Sequence, residues 1–197
     1  MRRNHQAGRA RREGCEFRVL TDDDLADIHL GTLEVLERTG VFVEDEEARE
    51  VFAGAGARVD ADKKVVRIPG HVVEQAIRTA PSSLRLAGRN PKNDIVLEAG
   101  RVGFTNFGEG VQIVDPYTGE LKVPTKQDVA DTARMVDALP NVDVYERAVV
   151  AEDIDQRVVH LHQYEAWTTN TSKHGFMGSG NGFLSRKLAE MAAVIAG

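Results

Sequence analysis

Residues 101–119 read RVGFTNFGEGVQIVDPYTG, and this stretch decides how the rest of the chain is interpreted. Two strand-like runs, Arg101–Phe107 and Val111–Val114, flank the triplet Gly108-Glu109-Gly110. Paired glycines let the backbone pass close to a ligand, and a single carboxylate stands between them. The stretch therefore predicts the opening of a catalytic barrel, followed by a turn at Asp115–Gly119.

Three aromatic residues flank that carboxylate in the sequence: Phe104, Phe107 and Tyr117. Ring faces attract alkylated ammonium groups, and the Glu109 carboxylate would supply the opposite charge. We therefore predict that these four residues bind a methylated ammonium ligand. The alternative is a buried hairpin whose aromatic side chains are simply core, because aromatic pairs commonly stabilise sheets.

The pattern of predicted elements changes near Gly100. Residues 21–100 mix short helices and strands, whereas strands and helices alternate afterwards. The later strands are predicted at Val142–Val150 and Lys173–Gly178, and the helices at Thr125–Leu139, Asp155–Asn170 and Phe183–Ala196. Such alternation indicates a parallel α/β sheet with right-handed crossovers, either doubly wound or a barrel.

Three strand–helix units cannot close a barrel, so we expect the chain to be the N-terminal piece of a longer protein. We predict three regions. Residues 1–20 form a basic, flexible tail, residues 21–100 an α+β extension, and residues 101–197 the first βα units of an incomplete TIM barrel.

Composition narrows the class of protein. The net charge of −6 argues against a nucleic-acid footprint over the whole chain. No window approaches the ~18 uninterrupted apolar residues of a membrane span, and no apolar segment follows the N-terminal arginines as in a secretory signal. The one cysteine, Cys15, fits a reducing compartment. We expect a cytoplasmic protein without a membrane partner; a non-catalytic module whose arginine tail binds nucleic acid is the alternative.

Other candidate residues lie in the C-terminal third. Gly178, Gly180 and Gly182 follow a predicted strand and open a helix, where backbone amides can contact an anionic or polar group, although the spacing departs from the dinucleotide fingerprint. His174 begins the preceding strand and could take part in acid–base chemistry or line a ligand site. His162 and Glu165 lack a third ligand in sequence, so we predict no metal site.

Most of the chain after the tail resembles the trimethylamine:corrinoid methyltransferase family. The similar blocks are LADIHLGTLEVLERTGVFVEDEEA from Leu25, RIPGHVVEQAIRTAP from Arg67, GRNPKND from Gly88, FTNFGEGVQIVDPYTGE from Phe104, and NTSKH from Asn170. Long blocks in the same order are more specific than one short motif.

The resemblance implies a TIM barrel and a methyltransferase of methylamine metabolism and methanogenesis. Members move a methyl group from trimethylamine, or from a betaine-type quaternary amine, to the Co(I) corrinoid of a separate carrier protein. They bind no cofactor directly, and the catalytic pyrrolysine position of the trimethylamine members would lie beyond Gly197. We expect substrate binding by Phe104, Phe107, Glu109, Tyr117 and His174, carrier docking near Gly178, Gly180 and Gly182, and a homo-oligomer.

Overall fold

The computed structural model describes residues 18–196, so most of the predicted tail at residues 1–20 lies outside the described residues. The described chain is a mixed α/β protein that divides into two compact units, residues 18–81 and residues 82–196. Each unit has its own sheet elements, and only the second contains parallel strand pairing.

The first unit packs three helices with a small antiparallel sheet of order β1-β3-β2. Its elements are α1 (Asp22–Arg38), β1 (Val41–Phe42), α2 (Glu46–Gly54), β2 (Arg58–Asp60), β3 (Val65–Arg67) and α3 (Gly70–Thr79). Helix α1 begins at a capping box in which Thr21 and Asp24 bond each other reciprocally.

The second unit begins with an antiparallel pair and continues with alternating strands and helices. Its elements are β4 (Ser83–Leu86), β5 (Ile95–Glu98), β6 (Ile113–Val114), β7 (Leu121–Lys122), α4 (Lys126–Ala138), β8 (Val144–Glu146), α5 (Val159–Thr168), β9 (His174–Phe176) and α6 (Gly182–Ala196). Strands β4 and β5 pair with each other, as do β6 and β7.

Strand β8 has parallel neighbours on both sides. It pairs with β9 in the register Val144 to His174, and isolated parallel bridges join Thr105 to Val144 and Gly110 to Val149. Residues 105–110, β8 and β9 are therefore three parallel chain segments, and α4 and α5 lie in the connections between them. The predicted parallel arrangement is confirmed for these segments.

The core of this unit lies between α4, α5 and strand β8. Val129 and Val136 of α4 are buried against Tyr145 of β8, and Trp167 of α5 closes the same cluster. The Tyr145 and Trp167 rings have centroids 5.8 Å apart. This packing fixes α5 relative to β8 and so positions the residues that follow the strand.

The predicted strands Val111–Val114, Val142–Val150 and Lys173–Gly178 are observed as the shorter β6, β8 and β9, and two further elements are shortened by local hydrogen bonds. Only Thr105 of the predicted strand Arg101–Phe107 makes a bridge, because the neighbouring Asn106 amide bonds the Glu146 backbone in place of a regular ladder. Helix α5 begins at Val159 and not at Asp155, because the Asp155 carboxylate accepts the backbone N–H of Arg157 in a local turn.

The turn predicted at Asp115–Gly119 is confirmed. The Asp115 carboxylate accepts backbone N–H groups from Tyr117 and Thr118, at 2.9 and 3.1 Å, and Gly119 has a φ of +75°. The turn connects β6 to β7, so the hairpin begins after the Gly108–Gly110 triplet and does not contain it.

Candidate functional site

The candidate site lies where the three parallel segments end. Glu109, Glu146 and Arg147 all stand at the carboxyl ends of residues 105–110 and β8, and Gly178 follows the end of β9. In α/β folds the carboxyl ends of parallel strands are where ligands bind, because the loops that follow converge there.

Glu109 is held by Arg147 through both backbone and side chain. Its N–H donates to the Arg147 carbonyl oxygen at 2.8 Å, and Arg147 Nη2 donates to Glu109 Oε1 at 2.7 Å. Glu109 has a φ of +61°, in the left-handed region that side chains other than glycine rarely adopt. The ion pair and the backbone bond together stabilise this uncommon conformation.

Arg147 is the most enclosed charge of the site, with a side chain only 4% exposed. Its Nη1 donates to Gln163 Oε1 of α5 at 2.8 Å. Within the described residues, Arg147 Nε and Gln163 Nε2 are buried without a hydrogen-bond partner. The guanidinium therefore links the strand end to α5 and is neutralised by Glu109, whose own side chain is 57% exposed.

His160 lies beside this pair on the first turn of α5. Burial, followed by the nearby Arg147 charge, lowers the pKa of the imidazole, while the Glu109 carboxylate opposes the shift. A Cβ on Gly180 would lie 3.1 Å from His160 Cε1, and one on Gly178 would lie 3.4 Å from Glu109 Oε1. The glycine loop after β9 thus passes directly over the histidine and the ion pair.

Glu146 is a second carboxylate at the same edge of the sheet. Its side chain lies across the backbone of Gly108, where an added Cβ would overlap the carboxylate and approach Glu146 Cγ to 2.5 Å. Asn106 fixes the peptide of Glu146 on both sides, since Oδ1 accepts its N–H at 3.0 Å and Nδ2 donates to its carbonyl oxygen at 2.7 Å. A side chain at position 108 would therefore have to displace the Glu146 side chain.

Comparison with known proteins assigns this chain to a family. The profile of the family described as Trimethylamine methyltransferase (MTTB) matches residues 2–197. The chain belongs to the trimethylamine methyltransferase family. A member from Desulfitobacterium hafniense, named trimethylamine methyltransferase MttB, is 52% identical over 192 residues, covering 98% of this chain and 39% of the relative.

Two further members are more distant. The trimethylamine methyltransferase MttB of Methanosarcina thermophila is 38% identical over 87% of this chain and 36% of its own length. A protein named glycine betaine methyltransferase, from another Desulfitobacterium hafniense strain, is 30% identical over 92% of this chain and 38% of its own length. The chain thus spans less than two-fifths of these relatives.

The aromatic residues that the sequence groups with Glu109 are open to solvent in this family member. Tyr117 is 95% exposed in the β6–β7 turn, Phe107 is 81% exposed, and Phe104 is about half exposed. Glu109 itself is bound by Arg147, so its charge is already matched.

His174 lies at the opposite end of β9 from the carboxylates. Its Nδ1 is 3.0 Å from the Ala87 carbonyl oxygen, and it lines a cavity of about 300 Å³ together with Trp167 and Lys173. The structure therefore does not bring His174 together with Glu109. In contrast, Gly178 lies beside Glu109 and Gly180 lies beside His160.

The sequence pattern gives no prediction for Asn106, Glu146, Arg147 or Gln163. One available signal is the pair Glu146-Arg147 directly after the apolar residues Val144 and Tyr145, because charged side chains are rarely buried without a partner. Their partners lie 16 to 40 residues away, at Gln163, Glu109 and Asn106. Spacing alone could not identify those contacts.

Two general properties of the described residues bear on the site. Among residues 18–196, no group of three or more His, Cys, Asp or Glu side chains is placed to hold a metal ion. None of the helices in that range is long and apolar enough to cross a membrane.

Proposed function

We propose that the full-length protein transfers a methyl group from trimethylamine to the Co(I) corrinoid of a separate carrier protein. The C–N bond of the trimethylammonium ion breaks and its electron pair stays on nitrogen, so neutral dimethylamine leaves. The Co(I) of the carrier would supply the electron pair of the new bond to the methyl group and is oxidised to Co(III). Membership of the family and the name of the 52% identical relative support this substrate. The chain's own contribution would be to bind and orient the amine.

The observation that carries the proposal is the acidic edge of the parallel segments. Glu109 and Glu146 both stand at that edge, with the rings of Phe104 and Phe107 exposed nearby along the chain. Carboxylates and ring faces are the groups that recognise alkylated ammonium ions, which offer few or no hydrogen-bond donors.

We also propose that residues 101–197 form the first βα units of a TIM barrel, with residues 21–100 as an extension before it. Parallel pairing of three successive segments, with helices in the connections, supports this arrangement. In a barrel the carboxyl-end loops share one face, so the amine and the carrier's corrinoid would meet above Glu109, Glu146 and the glycine loop.

The deciding experiment uses the complete protein, the carrier protein in its Co(I) state, and trimethylamine or glycine betaine as methyl donor. Methylation of cobalt is followed by the loss of Co(I) absorbance, and the amine product is identified by mass spectrometry. We expect trimethylamine to be the faster donor. Transfer from glycine betaine alone would favour the activity named for the 30% identical relative, and transfer from neither would refute the proposed function.

Docking of the carrier is tested separately at the glycine loop. Gly182 begins α6, and a Cβ there meets nothing within 4 Å, whereas Gly180 has a φ of +73° and lies against His160. Gly182→Trp therefore adds bulk to the loop with little internal clash. We expect weaker carrier binding with unchanged amine binding; unchanged carrier affinity would place the docking surface elsewhere.

A further inference from the structure

We infer that Glu146, and not Glu109, is the carboxylate that holds the methylated ammonium group of the substrate. The inference rests on the proposed function and names a residue for its cation site. It follows from how differently the two carboxylates are placed at the same edge of the sheet.

Glu109 already has a cationic partner. Its Oε1 accepts from Arg147 Nη2 at 2.7 Å, and the Arg147 side chain is 4% exposed. A buried guanidinium whose counter-ion is removed is strongly destabilised, so the pair resists the approach of a second cation. Glu109 also uses its N–H to bond the Arg147 carbonyl, which fits a structural role in the loop.

Glu146 has no such partner. Within residues 18–196, no hydrogen bond or ion pair involves its carboxylate oxygens, although the residue is half-buried. A partly desolvated carboxylate without a cation interacts more strongly with an incoming positive charge than one in open water, because the local dielectric constant is lower. Glu146 therefore supplies an unpaired negative charge for a cationic ligand at this edge of the sheet.

The backbone of Glu146 is fixed before any ligand arrives. The Asn106 side chain bonds both the N–H and the carbonyl of Glu146, and the acid lies against the bare backbone of Gly108. A site that is already ordered loses less conformational entropy on binding. Asn106 thus holds the Glu146 backbone, and Gly108 leaves room for the Glu146 side chain.

An aromatic ring stands beside it. Glu146 and Phe176 are register partners in the parallel pair β8–β9, so their side chains leave the same face of the sheet. The Phe176 ring is 46% exposed and can offer a face to a cation held at Glu146. A carboxylate with an adjacent ring fits a small alkylated ammonium ion better than a metal ion or an anion.

The test is calorimetric titration of the complete protein with tetramethylammonium chloride, without carrier protein. This probe keeps its charge at every pH and cannot be turned over without the corrinoid. We expect Glu146→Gln to weaken binding by at least about tenfold, since it removes the charge and keeps the shape. Replacing both members of the ion pair, in Glu109→Gln/Arg147→Met, should weaken binding several-fold less, because the pair carries no net charge.

Gly108→Ala supplies an independent variant in case Glu146→Gln folds poorly. Its added methyl group must displace the Glu146 carboxylate, so it should weaken binding of the probe. In a Glu146→Ala background the same change meets no carboxylate and should have no further effect. The effects of Gly108→Ala and Glu146→Ala on probe affinity should therefore be non-additive.

Glu190→Gln on the exposed side of α6 is the matched control for loss of one negative charge. Wild-type affinity in Glu146→Gln, or a larger loss in Glu109→Gln/Arg147→Met, would overturn the assignment. Full additivity of Gly108→Ala with Glu146→Ala would do the same. Failure of the wild-type protein to methylate the carrier from either amine would instead refute the proposed function, whatever the titrations give.

Discussion

Replacing Lys173 with methionine should markedly destabilise the protein. The Lys173 side chain is buried, and its Nζ donates to the carbonyl oxygens of Val136, Leu139 and Val142 at 2.6, 2.6 and 2.7 Å. These carbonyls lie at the C-terminal end of α4 and in the loop before β8. A positive charge there also interacts favourably with the helix dipole.

The magnitude follows from the fate of the three carbonyls. A hydrogen bond to a charged group contributes about 1.5–3 kcal/mol, but the three are not additive. The Val136 and Leu139 oxygens would keep backbone N–H donors, from Leu139 at 3.2 Å and Val142 at 3.3 Å. Methionine also avoids the cost of burying an ammonium. We therefore expect a net loss of about 3 kcal/mol, which corresponds to a fall in Tm of about 6–12 °C.

Urea denaturation measures this loss through the fluorescence of Trp167, the single tryptophan of the 197-residue sequence, which is buried in the core next to β9. Lys187→Met is the matched control, because Lys187 is exposed on the surface of α6, where it pairs with Glu190 and lies over the Phe183 ring. We expect the control to change the free energy of unfolding by less than about 0.5 kcal/mol. If the two variants unfold at the same urea concentration, the three-carbonyl contact does not stabilise the fold.

Three further changes test other contacts. Burial opposes ionisation of Asp137, but hydrogen bonds from the Ser172 backbone and hydroxyl and the Thr171 hydroxyl outweigh it and lower the pKa of the carboxyl. The stability that Asp137 provides relative to Asp137→Asn should therefore be complete above about pH 4 and decline as the pH falls through that lowered pKa, as acid titrations of both proteins would show. Gly175→Ala would place a Cβ 2.6 Å from Trp167 Cζ3 and should cost about 1–3 kcal/mol in urea denaturation, with unaltered stability excluding this close packing. Gly31→Ala, inside α1 with nothing within 4 Å of the new methyl group, should instead raise stability by about 0.5–1 kcal/mol, and a loss would mean that the glycine has a role that the described contacts do not show.

Features encoded by neighbouring residues could be predicted from the sequence. Thr21 and Thr125 each cap a helix through an aspartate three residues later, and the Asp115 turn closes through its own side chain. Each of these hydrogen bonds spans at most three residues. Their donors and acceptors are therefore visible in a short window of sequence.

Contacts between distant residues could not be predicted in the same way. The residues before Gly108 look like a regular strand in composition, yet Asn106 replaces part of the ladder by bonding Glu146, 40 residues later. Asp155 resembles a helix N-cap but closes a local turn with Arg157, which delays α5 until Val159. In both cases a side-chain amide or carboxylate competes with the regular backbone bonding that propensity assumes.

The two carboxylates of the site illustrate why residue type and spacing are insufficient for assigning a role. Composition alone favours Glu109, because glycines and aromatic residues flank it in the sequence. Its charge, however, is matched by Arg147, which is buried and would be left without a counter-ion if Glu109 turned towards a substrate. Glu146 stands at the same edge without a bound cation in the described residues, and the absence of a side chain at Gly108 leaves room for it. The free energy available for binding a cation depends on which carboxylate is still unpaired, and that is decided by a contact 38 residues away in the chain.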